Sequence, residues 1–229
     1  MTPAVLVPGI LCSSEIFAAQ IPALWTSGPV TVASTLGGET IEEAAASILR
    51  DAPPRFALAG ISMGGYICFE IMRQAPARVS RLALIDTSAR PDTIEQTNAR
   101  LQAFERARTR FMAVALLNLE SLLHPKHRGD PQLLDINLRM ARAVGLDGYE
   151  RQLRIAISRP DSRPHLGAIE VPTLVLVGDS DPLTPPAHSQ EISSSIRGSR
   201  LKVVPDCGHL SPIEQPAEVS QALEDWILG

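Results

Sequence analysis

A chain of 229 residues, 45% hydrophobic and 20% charged, suits one α/β domain, or one domain with an insertion. Its net charge of −4 argues against a nucleic acid or an anionic membrane surface as partner. Cys12, Cys68 and Cys207 are an odd count without a CxxC pair, which excludes a zinc ribbon or a disulfide framework and suggests a reducing compartment.

The chain opens on "MTPAVLVPGILCSS", apolar but without a basic start and interrupted at Pro8-Gly9. It makes a poor secretory signal, and no apolar run reaches the length of a membrane span. The cytoplasm is the expected location. Within that stretch Ala4 to Pro8 reads as a strand, followed by Pro29 to Ser34, Phe56 to Ile61 and Arg81 to Asp86. After a long gap come Thr173 to Gly178 and Arg200 to Pro205. Several of these runs are apolar at nearly every position, as strands covered on both faces should be. Helical patterns lie between them. One opens on Thr40, with Glu43 at capping-box spacing, and the last opens on Pro216 at a plausible first helical position. This alternation predicts a mostly parallel sheet of about six strands, with right-handed crossovers and helices on both faces.

The gap breaks the rhythm. Ala99 to Leu123, Gln132 to Val144 and Tyr149 to Ser158 all carry helical periods. They predict a helical cap over residues 89–163, inserted into a core of residues 1–88 and 164–229. Residues 90–163 hold 13 Lys or Arg against 9 Asp or Glu, so the cap is basic and the rest acidic. Solvated helix faces explain most of that balance, and a field favouring anionic substrates is the sharper reading.

Gly60-Ile61-Ser62-Met63-Gly64 fits G-x-S-x-G, between the strand Phe56 to Ile61 and the helical run "YICFEIMRQA". That context makes Ser62 the candidate nucleophile at a strand–turn–helix elbow rather than a plain turn residue. A serine hydroxyl needs a base, and the base needs an orienting acid. Of five histidines, only His209 follows the last strand, with Gly208 before it to let the loop turn. His124, His127, His165 and His188 read as structural or surface residues. Asp179 and Asp181 both follow the strand Thr173 to Gly178. Asp181 is favoured, because a few residues of loop give it reach and Pro182 helps fix the turn. Asp179 reads as a loop brace, Asp86 as a third possibility, and Asp206 as too close in sequence to His209. The backbone amides of Met63 and of Ile10, in the turn after Pro8-Gly9, are the candidate oxyanion donors, with Leu11 the neighbouring alternative. Cys12 and Cys207 are minor rival nucleophiles.

"GISMGG", "GDSDPLTPP" and "CGHLSPIEQP" together resemble the α/β-hydrolase fold family, and within it the compact esterase and enol-lactonase-like members with a helical cap. The resemblance covers almost the whole chain. It implies an ester hydrolase with Ser62, Asp181 and His209 as a triad, Ile10 and Met63 as oxyanion donors, no cofactor or metal, and a small or medium, largely apolar acyl substrate. Two features depart from the family. Pro8 stands where many relatives have His, and the first strand corresponds to the family's third. Alternatives within the fold are a lyase, a carbon–carbon bond hydrolase, a perhydrolase or a slow-turnover ligand receptor. Tyr66, where the similar lyase usually carries Arg, lowers the lyase option. Phe104, Phe111, Met112, Leu116 and Tyr149 are cap residues that either line a pocket or pack helices together.

Overall fold

Strands apolar at every position need cover on both faces, and they receive it. The computed structural model describes all 229 residues. The strands are β1 (Ala4–Val7), β2 (Val30–Val32), β3 (Phe56–Ile61), β4 (Val79–Ile85), β5 (Thr173–Gly178) and β6 (Arg200–Val204). They form one sheet in the order β2-β1-β3-β4-β5-β6, with every pair parallel. Each expected strand is present. Every residue of β1, β3 and β5 is buried.

The pleat divides these residues between two cores. Val5, Val7, Leu58, Leu82 and Leu84 face one way, under α2 (Ile41–Asp51), α3 (Met63–Gln74) and α6 (Pro186–Ser195). Leu6, Ala57, Ala59, Ala83 and Ile85 face the other way, where Leu24 of α1 (Gln20–Trp25) and Leu223 and Trp226 of α8 (Pro216–Leu228) cover them. Thr40 caps α2 by accepting from the Glu43 amide. The Glu43 carboxylate does not complete the box on Thr40, since it accepts from the Glu39 amide one residue earlier.

Two long helices fill the gap between β4 and β5: α4 (Ile94–Leu122) and α5 (Pro131–Ser158). Both bend, α4 at Arg110 and α5 at Gly145. Gly145 has φ 69°, a left-handed conformation that suits glycine. The helical path breaks there, so the expected segments Gln132 to Val144 and Tyr149 to Ser158 are two helices that meet at a kink. A separate apolar cluster joins α4 and α5 through Ala107, Val114, Tyr149 and Leu153, and reaches Leu11 beyond the end of β1. No helix is long and apolar enough to cross a membrane.

Candidate active site

β3 ends at Ile61 and α3 begins at Met63, so Ser62 alone makes the turn. It does so at φ 54° and ψ −117°, a region costly for any residue with a side chain. Such strain is worth roughly 1–3 kcal/mol and persists only where the surroundings hold it. Here they do. The Ser62 amide donates to the Ile85 carbonyl at 2.9 Å, and the Ser62 carbonyl accepts the Thr87 hydroxyl at 2.7 Å. Gly64 makes the close approach possible: a Cβ there would run into the Val7 carbonyl, so α3 lies directly against the end of β1. The hydroxyl of Ser62 is thus carried on a rigid turn at the C-terminal edge of the sheet.

His209 Nε2 lies 2.9 Å from Ser62 Oγ, and His209 Nδ1 lies 2.8 Å from Asp181 Oδ2. All three residues are buried. The other Asp181 oxygen accepts the amides of Leu183 and Thr184, at 2.8 and 2.9 Å, and Oδ2 also accepts the Thr184 hydroxyl at 2.7 Å. Burial works to raise the Asp181 pKa. The charge and hydrogen bond of His209, with the Thr184 bonds, outweigh it and hold the carboxyl down at about 2. Burial likewise works to lower His209. The Asp181 charge and hydrogen bond, then the Asp86 and Glu214 charges, leave it above its ordinary value.

The competing aspartates have other posts. Asp179 accepts the amides of Asp206 and Cys207, bracing the loop that leads to His209. Asp86, fully buried at the end of β4, accepts the Gly178 amide through Oδ1 and the Ser211 amide through Oδ2. It ties β5 to the segment after His209. Asp206 pairs with Lys126 at the surface. None of the other four histidines lines the cavity at Ser62. Burial pushes the Cys12 thiol up to about 12 and raises Cys207 further, so neither is a thiolate at neutral pH.

The turn after β1 sits against the serine, since a Cβ on Gly9 would lie 3.3 Å from Ser62 Cβ. The amides of Ile10 and Met63 have no acceptor within the protein. Leu11 differs: its amide donates to Gln152 Oε1 at 2.8 Å. Gln152, buried on α5, also reaches the Thr35 hydroxyl at 2.9 Å. It removes Leu11 as a donor and fixes the backbone that presents Ile10. Sequence reading misses this residue, whose signal was a polar side chain among the apolar positions Tyr149, Leu153 and Ala156.

Glu214 of the short helix α7 (Ser211–Glu214) is a second missed residue. Its Oε1 accepts the amides of Gly208 and Leu210, on either side of His209. Its Oε2 accepts the His124 amide at 2.8 Å and contacts His127 Nδ1 at 3.0 Å. One buried carboxylate therefore holds the His209 loop to the α4–α5 connection. Glu214→Ala leaves these buried amides without their acceptor, at about 1–3 kcal/mol each. The expected loss of stability is about 3 kcal/mol, a fall of roughly 6–12 °C in Tm for a chain of this size. Thermal unfolding by circular dichroism measures it.

A cavity of about 310 Å³ opens on Ser62 and His209, roofed by α4 and α5. Its lining is mostly apolar. Of the five cap residues singled out in sequence, Tyr149 lines it, while Phe104, Phe111 and Met112 pack against the cluster around Tyr149. Leu116 does neither.

The model of the alpha/beta hydrolase fold family matches residues 52–216. Among solved structures, an esterase from Thermogutta terrifontis is 30% identical with a TM-score of 0.89, over 100% of this chain and 90% of that one. The enol-lactonase from Burkholderia xenovorans is 26% identical with a TM-score of 0.88, over 100% and 92%. The 3-oxoadipate enol-lactonase 1 of Acinetobacter baylyi is 27% identical over 174 residues, 73% of this chain. The match spans only 62% of that lactonase's length.

Proposed function

Since the chain belongs to the alpha/beta hydrolase fold family, we propose that it is a carboxylic ester hydrolase working through Ser62, His209 and Asp181, with the amides of Ile10 and Met63 as oxyanion donors. The observation that carries this reading is the unbroken line Ser62 Oγ–His209 Nε2 and His209 Nδ1–Asp181 Oδ2, at 2.9 and 2.8 Å, opening on an apolar cavity. Esterases and enol-lactonases among its relatives agree with an ester or lactone as substrate. We also read residues 89–163 as the cap and the remainder as the hydrolase core.

The chemistry follows in two steps. His209 Nε2 takes the Ser62 proton as Oγ attacks the acyl carbon, and the Ile10 and Met63 amides receive the charge that develops on the carbonyl oxygen. Asp181 stabilises the imidazolium and keeps its Nε2 aimed at the serine. The tetrahedral intermediate collapses. The C–O bond to the alcohol breaks, and His209 protonates the leaving oxygen. Water then enters, gives its proton to His209 and attacks the acyl-enzyme. Collapse of the second intermediate returns the proton to Ser62 and releases the acid. Binding in the cavity supplies orientation, which lowers the entropic part of the barrier.

Hydrolysis of short p-nitrophenyl esters tests the reading, and its pH profile adds a specific expectation. Only neutral His209 can act as the base. Its pKa is raised above 6.5, so kcat/KM should climb about tenfold per pH unit on the acid side and level off at a midpoint above 6.5. Absence of turnover, or an acid limb centred below 6.5, would count against His209 as the base.

A further inference from the structure

Three charged residues form a cluster beside the cavity. Arg100 Nε and Nη2 lie 2.7 and 3.3 Å from the two oxygens of Asp92, and Arg159 Nη1 lies 2.6 Å from Asp92 Oδ1. One buried carboxylate thus faces two guanidinium groups, and the cluster keeps one net positive charge. Arg159 is committed inward. Its Nε donates to the Arg90 carbonyl, its Nη1 to the Ala156 carbonyl, and its guanidinium lies 4.1 Å over the Tyr66 ring. Arg100 is different. Its side chain is 17% exposed against 6% for Arg159, it lines the Ser62 cavity, and its Nη1 has no acceptor in the protein.

The rest of that lining sharpens the point. It contains no Asp or Glu, and Arg100 is its one permanently charged side chain. A cation left partly uncompensated in a largely apolar, low-dielectric wall is costly unless an anion joins it. Guanidinium N–H groups suit a carboxylate in geometry and in charge. A single net positive charge balances a monoanion, whereas a doubly charged phosphate would stay half unpaired. The apolar remainder of the cavity suits a short aliphatic chain between two polar ends.

We propose that Arg100 is the specificity-determining residue of this cavity, and that it holds a free carboxylate on substrates whose ester bond is presented to Ser62. The preferred substrates are then half-esters or lactones of short aliphatic acids that carry a second, ionised carboxyl group. The inference rests on the ester-hydrolase reading and narrows it. It also gives the basic balance of residues 90–163 a local meaning: most of those cations are solvated, and one looks into the site.

The test compares kcat/KM for monomethyl succinate, glutarate and adipate with that for neutral methyl esters of matched chain length, followed by pH-stat. The wild type should favour the anionic ester by at least about tenfold at one chain length, chiefly through KM. Arg100→Gln should lower that preference by about 10- to 100-fold, which corresponds to ~1.4–2.8 kcal/mol. Arg100→Lys should restore part of it. Glutarate itself should bind the wild type in calorimetry and compete with p-nitrophenyl acetate, and it should do neither with Arg100→Gln. Equal turnover of anionic and neutral esters by the wild type at every length would overturn the proposal, whether or not the variants fold. So would an undiminished preference in Arg100→Gln. Glutarate binding that needs Arg100, in a protein that cleaves no ester, would uphold the anion site and remove the hydrolase reading.

Discussion

Ser62→Ala is expected to lower kcat on a p-nitrophenyl ester by about 10⁶, the scale of loss in serine triads when the nucleophile is removed. The variant deletes one oxygen. His209 keeps Asp181 at 2.8 Å, and the backbone bonds from Ser62 to Ile85 and Thr87 use no side-chain atom of Ser62. Alanine meets the same φ of 54° as serine, so the strain of the elbow is unchanged. Thermal unfolding should therefore move little while turnover disappears. The small residue of activity that survives would come from the oxyanion donors and from binding alone. Neither Cys12 nor Cys207 can rescue the reaction, because burial keeps both as thiols at neutral pH. A variant retaining more than about a hundredth of wild-type turnover would remove Ser62 from the mechanism, since no triad tolerates loss of its nucleophile so lightly.

The parts of this molecule that were legible in sequence are those whose physics is local. A strand buried on both faces must be apolar throughout, so β3 and β5 announce themselves. The elbow needs small residues around one serine, and "GISMGG" supplies them within six positions. The structure brings Asp181 and His209 together with Ser62, and each follows a recognisable strand in the order expected from sequence. What escaped notice acts across the chain. Gln152 serves an amide 141 residues away, and Glu214 one 90 residues away. No short window of sequence contains those partners, although the Gly208 and Leu210 amides that Glu214 also serves lie within six residues of it. The Asp92–Arg100–Arg159 cluster is hidden for another reason: among 13 basic residues between 90 and 163, pattern alone does not separate the one that lines the Ser62 cavity from the others. Gly145, by contrast, is legible: a glycine that ends one helical period divides two helices at a kink.

The choice of acid is tested most sharply by Asp181→Asn, which should reduce kcat by about 10⁴. The size of the effect comes from tautomerism. The Asp181 carboxylate accepts the Nδ1 proton of His209 and so leaves Nε2 bare to take the proton of Ser62. The Leu183 and Thr184 amides hold the side-chain oxygen in this position, which turns an asparagine NH₂ group toward Nδ1. Nδ1 must then accept, Nε2 carries the proton, and the base faces the nucleophile in the wrong form. Loss of the negative charge also removes the main influence raising His209, so the acid limb of the pH profile should shift to lower pH in the variant. Asp86→Asn is the contrasting case. Burial, with the Asp181 charge second, raises Asp86, and asparagine there keeps one oxygen as an acceptor. Its two bonds run to the Gly178 and Ser211 amides and not to the imidazole. Losing one of them should cost about tenfold in turnover at most. If the two variants instead lost activity equally, the orientation of His209 would have to be shared between both aspartates. A 10³-fold separation between them assigns it to Asp181, because only there does the substituted group touch the ring that moves the proton.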